Sequence, residues 1–417
     1  LASVISCTPL QRSDRLSANV GAEVWLKRED LQHVRSYKLR GAYNLIVQLT
    51  DIERTGGVVC ASAGNHGQGV AYACGRLRVS GRVYVPRTTP RQKRDRIRVL
   101  GGEWIELRIV GDTYDEAAAA AIEDSRTTGA TLVPPFDDVR TIAGQGTVAV
   151  ETLQQLDRPP DTIVVPVGGG GLIAGMAGWL AARHPEVTVL GAEPAGAACM
   201  IAALAAGRPV PLPELDGFVD GAAVRQAGAL TTAILSRAIA ARAVGKQAAR
   251  PHRPTTVRPV DEGRVCSEML ELYQSDGIIA EPAGALATAL LSDREALRTA
   301  PGSTIVCVVS GGNNDVSRYG EIIERSLIFE GLKHYFLVDF PQEPGALRRF
   351  LDEVLGPEDD ITLFEYVKRN NRETGPALVG IEIGTPADLQ PLLTRMAGAR
   401  ITVERVEPNS TLFRFLR

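Results

Sequence analysis

The stretch that decides the fold is Thr162-Ile163-Val164-Val165-Pro166-Val167-Gly168-Gly169-Gly170-Gly171-Leu172. Its apolar, β-branched first half reads as a strand buried on both faces, as in a parallel sheet. A helix follows the glycines. Four consecutive glycines free the backbone to wrap an anion with N–H donors at the start of that helix. A plain tight turn rarely needs four. The stretch is neither the Gly-x-Gly-x-x-Gly of a dinucleotide site nor a Walker Gly-Lys-Ser.

Outward from it, residues 58–330 repeat the same alternation. Val58 to Ala61 reads as a strand, then Ser62-Ala63-Gly64-Asn65-His66-Gly67 as a turn, then a helix through Cys74. Gly81 to Pro86 and Ile105 to Val110 are further strands, each followed by a helix, Lys93 to Leu100 and Tyr114 to Thr127. Val187 to Ala192 and Thr304 to Val309 complete the set. Strands alternating with helices predict an α/β fold with a parallel sheet covered on both sides. Near Phe329 the pattern changes. Strand Lys333–Phe340, an amphipathic helix opened by Pro344-Gly345-Ala346-Leu347 and running through Leu355, strands Ile361–Lys368 and Ala377–Gly384, helix Ala387–Met396 and strand Ile401–Val406 follow in order. That β-α-β-β-α-β order is the ferredoxin-like α+β plait. Arg242 to Pro259, rich in Arg, Pro and Ala, reads as a loop or poorly periodic insert.

Composition sets outer bounds. With 417 residues, 44% hydrophobic and 23% charged, the chain is an ordinary globular one of two or three domains. A net charge of -3 argues against a phosphate-backbone binder. The basic stretch Arg87 to Arg98 reads as the solvated face of a helix. Six scattered cysteines form no Cys-x-x-Cys and have no histidine cluster beside them, so neither a disulfide framework nor a zinc site is expected, and a reducing cytoplasm fits. No apolar run is long enough to span a bilayer, no signal peptide is visible, and an opening on Leu1 leaves room for a few preceding residues.

Four segments carry chemistry. Lys38, in Ser36-Tyr37-Lys38-Leu39-Arg40-Gly41-Ala42, taken alone is a surface lysine. With its pKa lowered by burial or by a neighbour such as Arg40, it is a nucleophilic amine. Ser62 to Gly67 is either a capped turn or a nest of N–H groups for a carboxylate, with Asn65 offering donor and acceptor. His66 is expected to contribute backbone rather than imidazole. Ser310, before Gly311-Gly312-Asn313, is either a cap or a small polar partner for a ring nitrogen. With the glycine run, these fit an enzyme holding pyridoxal phosphate as a Schiff base.

Ser-Tyr-Lys-Leu-Arg-Gly-Ala, Ser-Ala-Gly-Asn-His-Gly-Gln-Gly, Gly-Gly-Gly-Gly-Leu and Ser-Gly-Gly-Asn, in this order and spacing, resemble the fold-type II pyridoxal phosphate enzymes of the serine/threonine dehydratase branch. The tail resembles the ACT-like regulatory domain of biosynthetic threonine dehydratases (threonine ammonia-lyases), in a short form with one such module. The resemblance implies a catalytic domain over 1–325 built of two αβα subdomains with parallel or mixed sheets, the smaller over about 45–145. An ACT-like domain over 330–417 follows.

It also implies roles. Lys38 is the Schiff-base lysine and shuttles the α-proton, with Tyr37 beside the cofactor. Asn65 contacts the ring hydroxyl. Ser62, Ala63, Gly64, Asn65 and His66 hold the substrate carboxylate. Gly168, Gly169, Gly170, Gly171 and Leu172 hold the phosphate, and Ser310 bonds the ring nitrogen. A neutral Ser310 leaves that nitrogen largely unprotonated and favours expulsion of the β-hydroxyl. The implied reaction turns L-threonine, with L-serine as a second substrate, into its 2-oxoacid and ammonia. For threonine this is the committed step to isoleucine. Feedback by isoleucine opposed by valine at the plait, a homotetramer and a cytoplasmic setting are implied too. No metal is expected: related serine racemases hold one near the segment matching Gly191 to Pro194, and Glu193 is present, but Cys199 stands where an aspartate is expected. The alternatives are a catabolic serine/threonine dehydratase, a serine racemase or, in another class, a non-catalytic amino-acid sensor. The plait could equally be a structural oligomerisation module.

Overall fold

The computed structural model describes residues 4–244, 255–297, 300, 302–366, 373–399, 401–407 and 410–416. The chain divides into two compact units, Leu1–Asp315 and Val316–Arg417.

In the first unit the strands are β1 (Leu10–Arg12), β2 (Glu23–Arg28), β3 (Val58–Ala61), β4 (Gly81–Val85), β5 (Ile105–Ile109), β6 (Thr131–Leu132), β7 (Thr162–Pro166), β8 (Thr188–Pro194), β9 (Thr256–Val260) and β10 (Thr304–Val309). They form a six-stranded sheet, β1-β2-β10-β7-β8-β9, and a four-stranded sheet, β5-β4-β3-β6. Only the β1–β2 pair is antiparallel. Every residue of β7 and β10 is buried, as continuous β-branched runs in a doubly covered parallel sheet require.

The expected loop at Arg242 to Pro259 is corrected on both flanks. Helix Ala229–Val244 runs into it, and β9 pairs in parallel with β8 along Thr256–Val260. The residues between, 245–254, lie outside the described residues. Pro259 concealed the strand, but β9 is the edge of its sheet, where a missing N–H is tolerated.

Two helices position the candidate lysine. Lys38–Val47 packs on Asn65–Leu77 and on Val139–Gln154 at glycine contacts. A Cβ on Gly69 would lie 3.2 Å from the Lys38 carbonyl, and one on Gly144 would lie 2.5 Å from the Arg40 carbonyl. The part of this unit built on the four-stranded sheet, here the small lobe, carries Asn65 and is thereby held directly against the turn that carries Lys38.

The second unit contains helix Tyr319–Phe329, then β11 (Lys333–Pro341), β12 (Asp360–Tyr366), β13 (Thr374–Glu382) and β14 (Thr402–Arg405). The sheet order is β12-β13-β11-β14 and all pairs are antiparallel. With crossover helices Ala346–Glu353 and Leu389–Gly398, this is the ferredoxin-like plait. Its core is Phe336, Val338, Phe340, Phe350, Val379, Ile381, Leu392 and Met396. The last two positions expected for strand Ile361–Lys368 lie outside the described residues.

Candidate active site

The loops at the carboxyl ends of β3 and β10 line one cleft through Gly64, Asn65 and Asn313, and the glycine run after β7 packs on Phe136, next to the carbonyl that Lys38 reaches. The segment before Lys38 is tied to the end of β10: Tyr37 N–H donates to the Ser310 carbonyl at 3.1 Å, and Ser36 bridges Gly311. Lys38 opens its helix. Its Nζ donates to the Pro135 carbonyl at 3.2 Å and sits 5.3 Å from the centre of the Tyr37 ring. The next residue, Phe136, lies on the glycine run: a Cβ on Gly169 would be 2.4 Å from its ring. A Cβ on Gly168 would be 2.6 Å from the Ala222 carbonyl, and one on Gly170 would be 2.3 Å from Met200 Cε. Gly170 also has φ +92°, a left-handed conformation that favours glycine, and it precedes helix Gly171–Arg183. The neighbours leave no room for side chains along this turn, so what it presents is backbone at a helix N-terminus. A phosphate fits such a cradle. Leu172 is only 1% exposed and its side chain belongs to the core.

Asn65 begins helix Asn65–Leu77 with Gly64 before it, and the Gly64 N–H is turned to Ser62 Oγ at 3.3 Å. Ala63 packs on the small-lobe core. His66 points inward. Its Nε2 bonds the Val133 carbonyl at 2.8 Å, and burial, with help from the nearby Lys38 charge, pushes its pKa down to about 3. A neutral, buried imidazole of this kind is no acid–base catalyst at ordinary pH. Ser310 is buried and its hydroxyl donates to the Ala283 carbonyl at 3.2 Å. A hydroxyl rotates freely enough to turn to a ligand nitrogen instead.

The structure adds residues that the sequence reading passed over. Asn65 Nδ2 donates to Glu281 Oε1 at 2.5 Å, and Asn313 Nδ2 donates to Asn65 Oδ1 at 2.7 Å. These groups line a cleft of about 600 Å³ that also takes in Arg35, Lys93, Arg96 and Asp220. Lys93 and Asp220 form an ion pair at 2.9 Å across it. Gln92, Lys93 and Arg96 of the basic helix border this cleft, and Gln92 and Arg96 are exposed there, as are Arg91 and Arg98.

A second correction concerns Arg40. Its guanidinium does not act as a free cation beside Lys38. It is 2% exposed and bonds Glu29 at 2.6 Å and Glu151 at 2.9 Å, while Lys27 bonds Glu151 at 2.6 Å from the other side. This four-charge cluster backs the Lys38 helix. Glu193 is likewise occupied within the fold: its carboxylate accepts the Met200 and Ile201 N–H groups at 2.6 and 2.9 Å, at the start of helix Cys199–Ala206. Among the described residues no group of three or more His, Cys, Asp or Glu side chains is placed to hold a metal ion.

An α/β enzyme that keeps an aromatic phosphate against a lysine is the class this edge of the two sheets can house. Comparison with known proteins agrees. Residues 1–311 match the family described as pyridoxal-phosphate dependent enzyme, and residues 324–416 match the C-terminal regulatory domain of threonine dehydratase. The chain is 66% identical to the biosynthetic L-threonine dehydratase of Mycobacterium tuberculosis, over all of this chain and 93% of that one. It is 47% identical to that of Bacillus subtilis, over 99% and 94%. The processed form of threonine deaminase isoform 2 from Solanum lycopersicum superposes with a TM-score of 0.70 at 36% identity, over 78% of this chain and 89% of that one. The chain belongs to the pyridoxal-phosphate dependent enzymes, in the branch of the biosynthetic threonine dehydratases.

Proposed function

We propose that the chain deaminates L-threonine to 2-oxobutanoate and ammonia by α,β-elimination, at the step that commits carbon to isoleucine. Bound in the cleft, pyridoxal phosphate supplies a carbonyl for amines and a ring that withdraws electrons from the α-carbon. Lys38 Nζ is the amine that bonds the cofactor and carries the α-proton; the Pro135 carbonyl and the face of Tyr37 hold it in place. The N–H groups from Gly168 to Leu172 hold the phosphate, helped by the helix dipole behind them. Asn65 donates to the ring oxygen, and Ser310 turns its hydroxyl to the ring nitrogen. The turn Ser62 to His66 receives the substrate carboxylate. The observation that carries this reading is the convergence of Lys38, Gly168–Gly171, Asn65 and Ser310 on one edge of two sheets, from four distant stretches of chain.

We assign catalysis to the first unit, Leu1–Asp315, and regulation to the second, Val316–Arg417, which already includes the helix that the expected boundary at 325 would divide. At the turn between β11 and helix Ala346–Glu353 lies a hollow of about 310 Å³ lined by Phe340, Gln342, Gly345, Leu347, Phe364 and Tyr366. Its apolar wall suits the side chain of isoleucine, with valine as the opposing effector. Gly345, at φ +85°, leaves helix N–H groups for a carboxylate. A homotetramer working in the cytoplasm completes the reading. The decisive assay follows 2-oxoacid release from L-threonine and L-serine with pyridoxal phosphate, with and without isoleucine. Threonine turnover that isoleucine suppresses is expected, and Lys38→Ala should retain no more than a trace. Full turnover by that variant would remove Lys38 from the mechanism. Turnover indifferent to isoleucine would leave the plait a role in assembly alone.

A further inference from the structure

We infer that Glu281 is a positioning residue of this site: its buried carboxyl fixes the Asn65 carboxamide so that one N–H is left to give to the cofactor's ring oxygen. The inference rests on the reading above that Asn65 faces the cofactor.

Glu281 stands where a side chain would ordinarily cap a helix, directly before Pro282 at the start of helix Pro282–Ala289. It does not cap that helix. It is 5% exposed, and its Oε1 lies 2.5 Å from Asn65 Nδ2, which is 216 residues away in sequence. The backbone fixes its place: Glu281 N–H donates to the Gly311 carbonyl at 3.1 Å, and its own carbonyl accepts from Gly284 N–H at 2.8 Å. Space for the carboxyl is built in. A Cβ on Gly311 would lie 2.2 Å from Glu281 Oε1, so the glycine after Ser310 is needed for this carboxyl to occupy its position.

The amide of Asn65 is thereby held at both ends. Its oxygen accepts from Asn313 Nδ2, which is itself anchored on the Val34 carbonyl at 2.8 Å. Its nitrogen donates to Glu281 Oε1, which accepts whether the carboxyl is ionised or carries its proton on the other oxygen. An amide between an amide donor and a carboxyl acceptor has one orientation, whereas an amide alone could present either end to a ligand. Nδ2 carries two hydrogens and Glu281 takes one. The other is the donor available to an electron-rich ring oxygen.

The charge at Glu281 suits that position. Among the described residues it has no ion-pair partner. Burial and the neighbouring Asp220 push its acid up to about 7, while Asn65, the Asn313 N–H and Lys93 pull the other way. A carboxyl that readily keeps its proton can sit beside an anionic cofactor without the repulsion of a full charge.

The test titrates apo-protein with pyridoxal phosphate and reads the dissociation constant and the visible absorption of the bound cofactor. Glu281→Ala should weaken binding about tenfold and move the absorption band, since a strong hydrogen bond to a charged or part-charged acceptor is lost. Glu281→Gln keeps an acceptor in the same place and should stay within about threefold. Should Glu281→Ala not fold, Glu281→Met fills the space without an acceptor and takes its place. Asn65→Ala should also weaken binding, and the double variant Asn65→Ala/Glu281→Ala should bind no worse than Asn65→Ala, because Glu281 acts through Asn65. A dissociation constant for Glu281→Ala within twofold of the parent, or effects that multiply in the double variant, would overturn the inference. If Asn65→Ala leaves binding unchanged, the placement of Asn65 at the cofactor fails, and this role for Glu281 fails with it.

Discussion

Two buried carboxylates lie on opposite sides of the turn that carries Lys38, and they are kept in opposite ways. Behind it, Glu29 is fully buried and receives two guanidinium bonds from Arg40, at 2.8 and 2.6 Å, and the Thr8 hydroxyl at 2.6 Å. Glu151 completes that cluster with Arg40 and Lys27, so two positive and two negative side chains cancel. In front, among the described residues, Glu281 has only amide N–H groups as hydrogen-bond partners. Paired charge in a dry interior stays ionised and fixed, whereas a carboxyl held by neutral donors can take up a proton. The back of the site is built as a rigid support, and the front as a group whose charge can adjust to a ligand.

The largest effect should come from breaking the back cluster. Arg40→Ala leaves the buried Glu29 and the half-buried Glu151 with too little positive charge. It should lower the stability of the apo-protein by roughly 3–5 kcal/mol, read from the denaturant midpoint. Arg40→Lys should recover only part of this, because a single ammonium cannot bond Glu29 through both its oxygens and still reach Glu151. A loss under about 1 kcal/mol for Arg40→Ala would mean that water reaches the cluster, and the contrast between the two sides would collapse.

Acidity sharpens the same comparison. For Glu151, burial alone would raise the pKa, but Arg40 and Lys27 overcome it and hold the group below its ordinary value. Its contribution to stability is present above the unfolded value and lost as pH falls through the folded one. Glu281 runs the other way. Burial lifts its folded pKa to about 7 from 4.5, so its contribution is whole below 4.5 and lost as pH rises through about 7. Glu281→Gln should therefore gain on the parent by roughly 1–3 kcal/mol between pH 4.5 and pH 8. Glu193, also raised by burial to about 7, is common to both proteins and cancels in the difference. A difference that stays flat across this range would show that Glu281 is ionised throughout in the folded protein.

How far the sequence was legible follows from the same physics. Buried parallel strands such as β7 and β10 are written in Val and Ile and could be read directly. β2 could not: its Glu23-Val24-Trp25-Leu26-Lys27-Arg28 carries charge in the middle of the sheet, tolerable only because Lys27 finds Glu151, Gln155 and the Thr8 carbonyl. The groups proposed to hold a ligand stand in glycine-rich turns with a local pattern. Glu281 has none, since a glutamate before a proline looks like any helix start and its partner lies in the other lobe. Arg40, beside Lys38 in sequence, was misjudged for the same reason. The carboxylates that neutralise it come from Glu29 and Glu151, which no local spacing connects.

The plait offers the smallest expected effect and the clearest contrast with the cleft. Its hollow has no buried carboxyl on its wall. Phe340 meets Phe350 and Phe364 edge-on at 5.2 and 5.9 Å, and Leu347 closes one side while remaining 43% exposed. Binding there would rest on apolar contact, where one methylene is worth only about 1–3 kcal/mol. Leu347→Ala should thus shift the unfolding midpoint little, by about 0.5 kcal/mol or less in stability, because so exposed a side chain supports little of the core. The isoleucine concentration that halves the rate should rise roughly threefold to tenfold, read as the ratio of rates with and without isoleucine. The cleft variants should instead change cofactor binding and leave that ratio alone. If Leu347→Ala leaves the inhibition curve where it was, isoleucine does not bind this hollow. If a cleft variant moves the ratio as far as Leu347→Ala does, the division of labour between the two regions is wrong.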